Sequence, residues 1–273
     1  MQKKTKVDTK FHTSNKKLLR IWDELQELQT ELCFDQEIAA YYMSDCWIND
    51  AASVLDVGTG NACFLSKIKG LFPEKQFFGI DFSKELINLA KLRMGNTSAE
   101  LKTQDFFTAE GKYDFIIMRL FWQHLPLSKF NQAFAQLEKI THPGSSIMIS
   151  DAYDEVRCFI PPLPEFQKVI SAYKEQQNEI ERDRDIIAQL KKWANTSDSW
   201  QVGLDLPLIL PSSIKGKLDL FRRIYQLWIE LFSTIGELEV DFKAAKNEIS
   251  HLQTAMNSFT QAGIRIIRLD RIK

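Results

Sequence analysis

The sequence predicts an α/β fold, a doubly wound and mostly parallel sheet with helices on both faces, and three observations carry that reading. Short apolar runs alternate with amphipathic stretches between residues 53 and 151. The first run passes directly into a glycine-bearing turn and a helix, in VLDVGTGNACF. Acidic residues, Asp56, Asp81 and Asp105, stand at the ends of three successive runs.

Taken in order, Leu18, Trp22, Leu25, Leu28 and Leu32 recur at helical spacing and predict an amphipathic helix over 16–33, with a second short helical piece in QEIAAYYMSDCW. SVLDV is a buried strand followed by the helix ACFLSKIKG, and QFFGID is the second strand. Ser83 is placed to cap the next helix, which ends near Met94, because its hydroxyl accepts an orphan backbone N–H. A weaker third strand ends at Asp105, YDFIIM is the fourth, and Leu127, Phe130, Phe134 and Leu137 mark a helix that stops before Pro143-Gly144. SIMISD is the fifth strand.

Beyond Asp151 the pattern turns mainly helical. Phe166, Val169, Ile170, Tyr173, Gln177 and Ile180 share one face and lead into the charged ERDRD; residues 199–210 read as extended. Phe221, Ile224, Tyr225, Trp228, Leu231 and Ile235 predict a strongly amphipathic helix. From Leu238 to Phe259 the apolar spacing alternates between four and three, which suits either a homodimeric coiled coil through a 236–260 helix or an intramolecular pair, the latter favoured over so short a stretch. IRIIRL is a last strand. The chain thus divides into a polar arm expected to be disordered (1–15), a helical segment (16–49), an α/β core (50–155), a mainly helical insertion with a sheet-edge strand (156–262) and a terminal strand (263–273).

Composition narrows the function. With 35 basic and 36 acidic residues the chain lacks the basic excess expected of a nucleic-acid binder. No apolar run is long enough to cross a membrane, and the polar N-terminal sequence does not read as a secretory signal. The four cysteines show no metal or redox spacing and read as reduced thiols of a cytoplasmic protein. No cluster of His, Cys and carboxylates suggests a metal site.

A strand that enters a glycine turn and then a helix N-terminus brings bare backbone against a ligand, since Gly58 and Gly60 have no Cβ to block the approach. The carboxyl ends of strands in such a sheet line one crevice, so Asp56, Asp81 and Asp105 face the same ligand. Asp81, about 20 positions past the glycines, suits a pair of ribose hydroxyls, or else caps the next helix. A nicotinamide-binding G-x-G-x-x-G would need glycine where Cys63 stands and leaves Asp105 without a role.

Together these motifs resemble the class I S-adenosylmethionine (SAM)-dependent methyltransferases, in particular the bacterial small-molecule group similar to ubiquinone/menaquinone-biosynthesis methyltransferases. The resemblance covers roughly residues 50–155 and is specific as a set. The family's acidic-x-G-x-G-x-G motif is matched by Asp56, Gly58, Thr59 and Gly60, with Ala62 replacing the third glycine; MRLFWQHLPL and THPGSSIMISD match later segments. The resemblance implies a seven-stranded sheet with an added helical cap, SAM as cofactor with S-adenosylhomocysteine (SAH) as product, and in-line methyl transfer to a small-molecule acceptor. It also implies that Asp81 holds the ribose, Phe82 lies along the adenine, Asp105 accepts from the adenine amino group with Phe106 beside it, and Arg119 meets the methionine end, largely through its backbone.

His124 is the obvious general base should the acceptor need to lose a proton, and equally an imidazole that packs behind the fourth strand. Asp151 is a second candidate, or a turn cap. Tyr41, Tyr42, Trp122, Tyr153 and Trp228 are candidates for an acceptor pocket, against the ordinary role of aromatics as core. The Asn-Pro-Pro-aromatic signature of amino-group methylation is absent after the fourth strand, which reads RLFW. Two other functions share the cofactor: a SAM-binding scaffold without catalysis, using the heptad-patterned helix, and a protein or peptide methyltransferase with an uncapped crevice.

Overall fold

Strand β1 (Ser53–Val57) is fully buried from Val54 onward, because its apolar side chains face covering helices on both sides of the sheet. The structure is a computed structural model and describes residues 13–43, 47–95, 97–184, 186–214, 216–235, 238–252 and 258–273. Nearly all of the polar arm therefore lies outside the described residues, as do the masked positions of the heptad stretch.

Helix α1 (Lys16–Met43) runs unbroken from the first helical piece expected from the sequence into the second, as far as Met43, and the short α2 (Trp47–Asp50) follows. The core then alternates: β1, α3 (Cys63–Leu71), β2 (Gln76–Asp81), α4 (Lys84–Met94), β3 (Glu100–Thr103), β4 (Phe115–Arg119), α5 (Phe130–Ile140) and β5 (Ser146–Ala152). Ser83 caps α4 as expected, accepting from Leu86 N–H at 3.1 Å. After β5 come β6 (Cys158–Ile160), α6 (Pro164–Glu179), α7 (Ile186–Thr196), β7 (Trp200–Pro211), α8 (Lys217–Ile235), α9 (Phe242–His251) and β8 (Phe259–Arg271).

The sheet order is β3-β2-β1-β4-β5-β8-β6, with β7 on the other edge of β8. β1 to β5 pair in parallel, and β8 lies antiparallel to β5, β6 and β7. Seven strands make the expected doubly wound sheet. The three-residue β6 is an addition that takes over beside β8 where β5 stops, pairing Cys158–Ile160 with residues 259–261. The parallel register carries Asp56 alongside Gly79 and Asp81 alongside Thr103, so the strand-end acids come out on one edge of the sheet.

Two elements differ from the sequence expectation. Helix α7 was not anticipated, although Ile186, Leu190 and Ala194 are buried at helical spacing. Among the described residues the heptad stretch is helical over α9, and Phe259 already belongs to β8. Ala245, Ile249 and Leu252 are buried against α6 and α8, so the stripe is used within the chain. Among the described residues no helix is long and apolar enough to cross a membrane.

Candidate active site

Gly58 N–H and Thr59 N–H both donate to the Ile80 carbonyl, at 2.8 and 3.0 Å, which hooks the glycine turn onto the end of β2. Asp81 completes the link: one carboxylate oxygen accepts from Gly60 N–H at 3.0 Å, the other from Ser83 N–H at 2.8 Å. The carboxylate therefore does part of the capping work considered from sequence. Each oxygen retains a second lone pair for a ligand hydroxyl.

The glycines serve the turn more than an open cradle. Gly58 and Gly60 have φ of 73° and 55°, where an L side chain is strained. A Cβ on Gly58 would lie 2.9 Å from the Phe121 ring, and one on Gly60 would lie 2.4 Å from the Gln26 amide. Ala62, at the position of the family's third glycine, also adopts a left-handed φ of 57°.

Helix α1 clamps this turn. Gln26 accepts from Asn61 N–H at 2.8 Å, the Asn61 amide donates to Asp23 at 2.7 Å, and Cys63 Sγ bonds the Gln26 carbonyl at 3.1 Å. Further along α1, the fully buried Glu37 pairs with Arg119 at 2.9 Å, and Arg119 also donates to the Gln29 carbonyl and lies over the Phe64 ring. The Arg119 side chain is thus committed within the fold.

Between the strand ends and the overlying helices lies a cavity of about 420 Å³. Asp56, Gly58, Thr59, Asp81, Phe82, Asp105, Phe106, Arg119, His124 and Trp228 line it; the sequence had singled out each. Its roof is formed by α1, α6 and α8. Burial pushes the Asp56 carboxyl up to about 7 and that of Asp81 up to about 6. Asp105 also caps the turn after β3, accepting from Phe107 N–H at 2.9 Å. Phe82 is 55% exposed at the cavity, whereas Phe106 is buried edge-on against Phe121.

Several candidates lie elsewhere or act differently. Asp151 is fully buried, off the cavity, and accepts from Gln123 N–H at 3.1 Å and Ala152 N–H at 2.9 Å; it is the turn cap. Trp122 is core: its ring is fully buried, packs against Phe130 and Phe134, and donates to Met118 Sδ. Tyr41 is buried between Phe64 and Phe115. Tyr42, its neighbour, is half exposed against Phe72 on the outside. Tyr153 lies under the Arg265 guanidinium rather than on the cavity. His124 does reach the cavity, but burial, with Arg182 and Arg184 nearby, pushes its pKa down to about 3. So weak a base stays neutral near neutral pH and is ill matched to proton abstraction.

Sequence reasoning missed Gln26 and Phe121, which close the glycine turn, and Arg157, Tyr173, Arg182 and Arg184, which line the far end of the cavity. The segment containing Phe121 had been noticed, but nothing in the local sequence links it to Gly58.

A methyltransferase-domain family model matches residues 48–204, more than half of the chain. The uncharacterized protein MJ0906 of Methanocaldococcus jannaschii is 33% identical over 150 residues, which are 53% of this chain and 39% of that protein. The chain thus spans about two fifths of the length of this curated relative. Among solved structures, the plantazolicin methyltransferase BamL in complex with a triazolic desmethylPZN analog and SAH matches with a TM-score of 0.52. That match is at 16% identity and covers 93% of this chain and 92% of that one, a likeness of fold. The plantazolicin methyltransferase BpumL in complex with SAH gives a TM-score of 0.49 at 17% identity, over 93% and 90% of the two chains. With the strand order, the glycine turn and the strand-end acids already in place, the family match identifies the chain as a member of the methyltransferase-domain family.

Proposed function

We propose that the protein transfers a methyl group from SAM to a small-molecule acceptor held in the cavity beneath α8. The observation that carries this reading is the cavity itself, which joins Asp56, Asp81 and Asp105 at the strand ends to an aromatic compartment under α6 and α8. The donor set suits the cofactor: Asp81 would accept from the ribose and Asp105 from the adenine amino group beside Phe106, Phe82 would meet the base, and Asp56 with the Arg119 backbone would hold the methionine end. SAM supplies a methyl group already activated on its sulfonium sulfur, so the protein's task is to align the acceptor and exclude water. Phe121, Leu120 and His124 also line the cavity.

The roof of α1, α6 and α8 favours a small acceptor over a protein substrate, which needs an open crevice. The scaffold reading loses its basis because the heptad face is packed within the chain. The thiols of Cys33, Cys63 and Cys158 are free, which accords with a cytoplasmic setting. Thermal unfolding with ligand tests the reading: SAH at a hundredfold excess over its Kd should add about 2.7 kcal/mol of stability. No shift with SAH or SAM, together with a shift by a nicotinamide dinucleotide, would overturn it.

A further inference from the structure

The cavity is segregated by charge. Its acidic lining residues, Asp56, Asp81 and Asp105, all stand at the strand ends. At the other end it is lined by Arg157, Arg182 and Arg184 among apolar and aromatic walls from α6 and α8, with no acid on that part of the lining among the described residues. The three arginines form one cluster. Arg157 and Arg184 both bond Asp154, each at 2.6 Å, and Arg182 and Arg184 act together on His124. Arg157 lies over the Trp228 ring at 5.0 Å and Arg184 over that of Tyr173 at 5.7 Å.

A buried ion pair placed for stability alone needs one cation for each carboxylate, because every desolvated charge left over is costly. Here two guanidiniums, 9% and 13% exposed, share a carboxylate that is itself 10% exposed, so direct pairing with Asp154 leaves one positive charge over. Asp151 is turned to backbone N–H groups; burial pushes its pKa up to about 6, and it acts on Arg184 through space without pairing with it. His124 is neutral and offers no compensating charge. An apolar compartment with a cationic end is complementary to one kind of molecule.

We infer that the methyl acceptor is an anion, an apolar or aromatic body bearing a carboxylate that the Arg157–Arg182–Arg184 cluster receives. The inference rests on the methyl-transfer reading for the acceptor role, and on the charge pattern alone for the anion preference. Guanidinium suits a carboxylate geometrically, since its planar N–H fork can meet both oxygens.

The test is calorimetric titration of the whole chain, with SAH present, by three probes that share one naphthalene body: 2-naphthoate, its methyl ester and 2-naphthylmethylamine. The expected result is that naphthoate binds at least tenfold more tightly than the ester, with the amine weaker still. Arg182→Met and Arg157→Met should each remove at least tenfold of naphthoate affinity and leave SAH affinity within twofold. Arg182 lies outside the Asp154 pairing, so its variant keeps the test decisive should Arg157→Met fold poorly. Equal binding of the three probes, or none, by a protein that binds SAH would overturn the anion inference and leave methyl transfer standing. A loss of SAH affinity in folded Arg182→Met would overturn it too, by giving the cluster to the cofactor's own carboxylate. Tight naphthoate binding by a protein that ignores SAH would support the anion site and overturn the methyl-transfer reading instead.

Discussion

Asp81→Asn separates the two tasks of one carboxylate. In the folded protein its oxygens accept from Gly60 N–H at 3.0 Å and Ser83 N–H at 2.8 Å. An amide of the same shape has a single acceptor oxygen, so one of those N–H groups would face an NH2 donor. A buried donor left unsatisfied costs about 1–3 kcal/mol, and the variant should lose that much stability. If the carboxylate also takes ribose hydroxyls, losing its charge removes a further ~1.5–3 kcal/mol of binding, roughly 10- to 150-fold in the Kd for SAH. Calorimetry with SAH and thermal unfolding read the two effects independently.

The pH dependence offers a second, internal check. Burial pushes the Asp81 pKa up to about 6, so the wild-type carboxyl gains its proton below that point and behaves as the amide does. SAH affinity of the wild type should fall between pH 7 and pH 5, and its advantage over Asp81→Asn should shrink in the same interval. For folding without ligand the sign is opposite. The folded pKa lies above the unfolded value of about 3.9, so the contribution from this group is present below pH ~4 and is lost as pH rises through about 6. Unchanged SAH affinity in a destabilised variant, at every pH, would show that Asp81 only ties β2 to the glycine turn.

Three other changes test the surrounding architecture. Gly60→Ala should lower stability by at least the ~1–2 kcal/mol of a left-handed L residue, more where Gln26 cannot withdraw; adding Gln26→Ala should restore only the steric part of the lost melting temperature. Glu37→Gln leaves Arg119 buried without its counter-charge and should cost about 3–5 kcal/mol in a denaturant titration; an unchanged midpoint would mean the pair contributes nothing. His124→Asn should change kcat less than tenfold and leave the shape of the pH–rate profile as in the wild type, because the imidazole titrates near 3; a loss of a hundredfold at unchanged stability and SAH affinity would restore the general-base reading.

The first five strands were legible because a parallel sheet covered on both faces demands continuous apolar runs, and SVLDV and SIMISD are such runs. The strand-end acids were legible for the same reason: once the strands are placed, parallel pairing fixes the edge on which Asp56 and Asp81 emerge. The acceptor-pocket aromatics were legible only in part: Trp228 lines the cavity, whereas Tyr41, Tyr42, Trp122 and Tyr153 do not. Tyr41 and Tyr42 are adjacent in α1, about 100° apart around its axis, and only packing sends one between Phe64 and Phe115 and the other outward. Helical spacing identifies a face but not which neighbour covers it.

The arginine cluster shows the limit most clearly. A charged run such as ERDRD reads in sequence as a solvated connection between helices, and locally nothing distinguishes Arg182 and Arg184 from surface residues. Their placement depends on Asp154, which lies 30 residues before Arg184 in the turn after β5 and is itself shared with Arg157 three residues on. Aromatic groups from α6 and α8 then enclose those charges, Tyr173 under Arg184 and Trp228 under Arg157. Apart from Asp154 with Arg157 and Arg182 with Arg184, these partners have no fixed spacing, since they come from different elements and meet only when the roof closes over the sheet. Cofactor chemistry is written at strand ends, where chain order and sheet order coincide. Acceptor chemistry is assembled across elements with no shared register, so its charge and shape emerge only with the tertiary fold.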